Sequence, residues 1–214
     1  MEITPRNRQF TPAALSLGLA ALLFAAFPLT RPFFPLDPRS PDALGIASPA
    51  ITSLAWLLSH FLLLAAFLLL MFGLMGLYAE LARGEERRPL GALVLSLAGV
   101  ALVLPMVGVE LFAMPPIGRV FLAEHSDVGA AFNEIYLGPG TITMLVGLFL
   151  LSVGAFFFAV LLWRSDRFSG LAGFIFALGL ALWFPLFPKM IRIMDGLLIG
   201  IGGVWIAFIM ARRK

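Results

Sequence analysis

The chain has 214 residues, 61% hydrophobic and only 13% charged, with a formal net charge of +3. At a mean hydropathy of +1.00 it is too apolar to solvate the surface of a soluble domain, and its length allows about six crossings of about 20 helical residues each. Cysteine is absent, which excludes disulfides, thiolate metal sites and CxxC redox chemistry; the basic residues cluster at the ends of apolar runs, which fits orientation in a membrane and not nucleic-acid binding.

Arg6 and Arg8 precede the first apolar run and imitate a secretory signal. The run is long, has no clean A-x-A site and is followed by Pro28, so it is read as a retained span over residues 11–29, started by Thr11 and Pro12. The next stretch carries Pro32, Pro35, Pro38, Pro41 and Pro49 and reads as a structured or extended loop. Ser48 and Pro49 then start span two, residues 50–79. A charged knot of Glu80, Arg83, Glu85, Glu86, Arg87 and Arg88 reads as a solvated hairpin tip, and span three follows over residues 89–113. In the connection after it, Val120, Phe121, Val128, Phe132, Ile135 and Tyr136 are spaced for a short amphipathic helix on the membrane surface. Spans four, five and six are expected at 140–163, 168–187 and 190–211. The expectation is an all-α, six-span polytopic membrane protein in one domain.

The opposite faces of this threading differ in charge. Ten Lys and Arg residues fall on the side of both termini and five on the other, namely Arg31, Arg39, Arg119, Lys189 and Arg192. The positive-inside rule therefore places both termini in the cytoplasm. A shift of 80 residues aligns Ala92 to Pro105 with Ala172 to Pro185, so spans two and three resemble spans four and five as copies of one helical hairpin.

The stretches LYAELARGEERRPLGALVLSLAGVALVLP, GVELFAMP and IRIMDGLLIGIGGVWIAFIM together resemble a broad group of uncharacterised bacterial six-helix integral membrane proteins. The resemblance implies the fold type and a bacterial inner (cytoplasmic) membrane, and carries no activity or site residues.

Functional candidates are the ionisable groups at membrane depth, which are expensive unless paired or hydrated. His60 lies 25 residues before Glu85 and Glu110 25 residues after it, so in an antiparallel hairpin they reach the same outer depth and can touch. Arg192 and Asp195 share one face of span six, also at its outer end, as a local salt bridge or a headgroup contact. The outer connection adds Glu124, His125, Asp127 and Glu134. With two histidines and no HxxxH or HExxH spacing, a metal site would need several carboxylates, a bis-His haem would need His60 and His125, and the adjacent His125, Ser126 and Asp127 point apart too much for a triad. No motif names a cofactor. Gly196, Gly200 and Gly203 form a small-residue stripe for helix packing, and GIGG lacks the strand and Lys of a nucleotide-binding loop.

The expected working surface is the outer end, with His60, Glu110, Arg192 and Asp195 beneath a lid of the two outer loops, binding a lipid headgroup or small amphipathic ligand. Phe156 to Phe158, Trp163 and Trp183 would hold its apolar parts. A scaffold or small subunit of a larger membrane complex is the alternative; a membrane-embedded enzyme using His60 as base, oriented by Glu110, is the third.

Overall fold

A computed structural model describes residues 11–34, 37, 39–40, 42–82, 88–124, 128–165, 168–185 and 187–212, and among these it is helical with no strands. Helix α1 is Thr11–Thr30, α2 Ala43–Ile51, α3 Leu54–Leu81 and α4 Arg88–Gly108. A π-turn at Val109–Ala113 leads into α5, Met114–Glu124, followed by α6 Gly129–Leu137, α7 Pro139–Arg164, α8 Gly170–Leu182 and α9 Lys189–Ala211.

Five stretches are long and apolar enough to cross a membrane: Pro12–Thr30, Leu54–Leu81, Pro89–Glu124, Gly129–Arg164 and Lys189–Ala211. At the expected fifth crossing stands a shorter apolar helix, Gly170–Leu182. Helix α8 has 13 residues, about 20 Å at the helical rise, against about 30 Å of hydrocarbon. Its helix stops at Leu182 because Pro185 supplies no N–H, and Trp183, Phe184 and Pro185 continue without helical structure.

The six long or central helices pack in a ring, α1 on α3, α3 on α4, α4 on α7, α7 on α8, α8 on α9 and α9 back on α1, with α3 against α4 the thinnest seam. In lipid, apolar faces gain little by leaving the solvent, so contact comes from close backbone approach at small residues. One such approach joins α4 to α7. A Cβ at Gly99 would lie 2.5 Å from the Leu151 nitrogen, and one at Gly147 would lie 2.7 Å from the Gly99 carbonyl oxygen. The stripe Gly196, Gly200 and Gly203 packs on Ala21, Phe24, Ala25 and Pro28 of α1, while Gly202 packs on Phe176 of α8. Both faces of this part of α9 are therefore used inside the molecule.

The two hairpins expected as copies differ in how they pack: α7 lies closely along α8, whereas α3 touches α4 much less. Gly99 and Gly179, aligned in the repeat, do play the same part, since Gly179 brings α8 onto the Ile199 nitrogen of α9 as Gly99 brings α4 onto α7. Pro105 stays inside α4, unlike Pro185.

At one end, α2, α5 and α6 form a cap with its own core of Ala47, Ile51, Trp56, Met114 and Phe132. The first connection, expected as a structured or extended loop, thus contains helix, and the second is helical as its spacing suggested. Residues 43–48 are free of proline, which allows α2, and Pro49 falls inside it. Span two starts later than expected, at Leu54, because the Ser53 hydroxyl caps the Trp56 N–H at 3.1 Å. The amphipathic run divides between α5 and α6. Of the charged knot, residues 83–87 lie outside the described residues; Glu80 is buried within α3 and is no part of a solvated tip.

Candidate functional site

The cap end gathers the residues that carry charge at depth. His60 and Trp56 are one turn apart on α3, with ring centroids 4.0 Å apart, and His60 is completely buried. Its Nδ1 lies 2.8 Å from the Trp56 carbonyl oxygen. A carbonyl only accepts, so Nδ1 carries a hydrogen. The other nitrogen, Nε2, lies 3.5 Å from Glu110 Oε2, an ion-pair distance without the alignment of a good hydrogen bond. Glu110 Oε2 is thus the acidic group that Nε2 faces, at ion-pair range.

Glu110 owes its position to the π-turn. In that turn the Met114 N–H bonds the Val109 carbonyl. The i+5 partner of the Glu110 carbonyl would be residue 115, a proline with no N–H. The freed carbonyl accepts instead from the Trp56 indole Nε1 at 2.8 Å. Pro115 thus frees an acceptor that fastens α3 to α4 at the cavity end of their thin seam. Tyr136 on α6 donates to Glu110 Oε1 at 3.4 Å, a long contact.

Arg31 follows α1 directly and lays its guanidinium over Trp56, 4.9 Å from the ring centroid, with Phe27 and Phe34 each 6.0 Å away. Arg192 on α9 lies over Trp183 at 4.8 Å and near Phe27 at 5.8 Å, and donates to the Phe184 carbonyl at 3.3 Å. Phe27 also meets His60 edge-on at 5.5 Å. The Phe27 ring therefore neighbours both arginines and the imidazole.

Above this layer is a cavity of about 700 Å³. Its polar lining is Arg31, Asp37, Arg39, Glu110, Tyr136 and Thr141; Phe33, Phe34, Met144, Leu145, Pro185 and Phe187 supply much of the apolar wall.

The expected contact between His60 and Glu110 is present, and so is the Arg192 to Asp195 bridge, at 3.8 Å. The latter is no interfacial anchor, however, since both residues are buried in the bundle. Of the four expected cup residues only Glu110 lines the cavity; His60, Arg192 and Asp195 stand behind it. Glu124 and Glu134 are exposed on α5 and α6, and Glu134 borders a separate groove of about 370 Å³ beside Met106 and Pro139. His125 and Asp127 lie outside the described residues. No group of three metal-ligating side chains occurs among the described residues. The aromatic residues expected to hold a ligand's apolar part do not line the cavity: Phe157 and Trp163 face outward, and Trp183 packs on Phe24 and Phe67 beneath it.

Sequence reasoning passed over Trp56, Arg31 and Tyr136 as site residues. Arg31 had a signal: it adjoins the end of span one and so lies level with the start of span two. Comparison with protein-family models, curated proteins and solved structures finds no match. The chemistry of the cavity alone carries the functional reading.

Proposed function

We propose that this membrane protein binds a lipid headgroup or small amphipathic ligand in the cavity at its cap end, and that this end faces outward. The cavity itself carries the reading. It joins a charged and hydroxylated part, containing Arg31, Glu110 and Tyr136, to an apolar wall from α7 and the segment after α8. Its volume is in the range of small-molecule sites. It also lies level with the ends of α1 and α9, the depth at which an outward cap end would meet headgroups. The excess of Lys and Arg on the opposite side supports the outward orientation.

The fine detail of the alternatives changes with the geometry. A His60 base acting directly on a ligand is disfavoured, because His60 does not reach the cavity; Glu110 would be the acting group and His60 the one that positions it. The scaffold alternative finds no free docking face in the glycine stripe of α9, which is covered by α1.

Replacing Leu145 with Trp fills the apolar wall from a partly exposed position. Native mass spectrometry of protein purified in mild detergent should then show loss of copurified lipid or amphiphile relative to wild type. Unchanged ligand content in a folded Leu145→Trp variant would sink the proposal.

A further inference from the structure

The geometry points to an oxyanion, a phosphate or a carboxylate, as the polar group this cavity takes, with Arg31 as its receptor; this deepens the amphipath reading and rests on it. The argument starts from hydrogen-bond capacity. A guanidinium has five N–H donors, all in its plane. Arg31 lies over the Trp56 ring at 4.9 Å, a stacked placement that leaves the edges of the guanidinium for acceptors. Among the described residues, Arg31 Nε is buried with no hydrogen-bond partner, and no carboxylate lies within ion-pair distance of Arg31.

The acid that shares the cavity does not fill this role. Glu110 presents one oxygen to His60 and the other to Tyr136. Asp37 accepts from the main-chain N–H of Arg39 at 3.0 Å.

Burial sharpens the need, because a partly desolvated guanidinium is expensive to leave without an acceptor. A planar fork aimed at a bidentate oxyanion satisfies both the charge and the missing acceptor. The neighbouring apolar wall accommodates a chain attached to that oxyanion.

The test uses the full chain in a neutral maltoside detergent, titrated calorimetrically with dodecyl phosphate, dodecyltrimethylammonium and inorganic phosphate. Dodecyl phosphate is expected to bind wild type and to weaken at least tenfold in Arg31→Gln, with Arg31→Lys intermediate because it keeps the charge and loses the fork. Dodecyltrimethylammonium should bind no better than background. Equal affinity of dodecyl phosphate for wild type and Arg31→Gln overturns the proposal, as does a preference for the cationic amphiphile. Should Arg31→Gln fail to fold, judged by gel filtration, Arg31→Lys decides alone: undiminished affinity overturns the oxyanion fork.

The remaining arms separate this proposal from the reading beneath it. Inorganic phosphate binding as tightly as dodecyl phosphate, and lost in Arg31→Gln, supports the oxyanion site while overturning the amphipath reading. Amphiphile binding abolished by Leu145→Trp yet indifferent to Arg31 does the reverse.

Discussion

The indole N–H of Trp56 is bonded to the main-chain carbonyl of Glu110 at 2.8 Å, across 54 residues of sequence. The bond exists because Pro115 cannot serve that carbonyl. Trp56→Phe should therefore cost about 1–3 kcal/mol, the penalty for stranding a buried acceptor. Pro115→Ala restores a main-chain donor, so the Trp56→Phe penalty should shrink in its presence. A double-mutant cycle read by unfolding in mixed detergent measures this coupling, and strict additivity would contradict it.

His60 and Glu110 form a second coupled pair. Removing one partner of a buried ion pair costs about 3–5 kcal/mol; Glu110 borders the cavity, so the lower part of that range is expected for His60→Ala. Glu110→Gln should cost less, because it removes the charge and keeps an amide in the same place. In the double variant the losses should fall short of their sum by at least about 1 kcal/mol. Thermal unfolding of the four proteins checks this.

The α4 to α7 crossing gives a sharper structural test. Gly99→Ala puts a methyl 2.5 Å from the Leu151 nitrogen and 2.6 Å from the Gly147 carbonyl, and such overpacking against backbone costs about 1–3 kcal/mol. Gly91, eight residues earlier on the same helix, has open space at its Cβ. Gly91→Ala should be neutral or stabilising by up to about 1 kcal/mol, as alanine suits a helix better. Similar thermal midpoints for the two variants would contradict the close crossing.

Orientation can be read directly because the chain has no cysteine. With the cap outward, Ala130→Cys should react with a membrane-impermeant maleimide on intact cells, and Ser165→Cys only after lysis. The opposite pattern would invert the proposed topology.

Much of the site was legible because a helix turns sequence distance into depth. His60 and Glu110 lie equally far from one turn, and they meet. Arg192 and Asp195 are three apart on one helix, and they pair. Residues arriving through the connections were not legible in this way. Tyr136 reaches Glu110 only because α6 folds back over the π-turn, and the lone acceptor that draws in Trp56 becomes visible only once that turn is known. Proline counting misjudged α2 for a related reason: it registered breakers over the whole connection, whereas residues 43–48 contain none. In α8, apolar composition continued past the helix that Pro185 ends, so hydropathy overestimated its length.

The closure of the ring by α1 and α9 has a consequence in time. The α1 surface that receives Gly196, Gly200 and Gly203 has no partner until α9 is made, about 160 residues after α1 is complete. At about 5–20 residues per second, α1 waits roughly 10–30 seconds in the bilayer with that face toward lipid or an insertion factor. A ribosome stalled before residue 189 would leave an arc of helices that cannot close, a ready signal for membrane quality control.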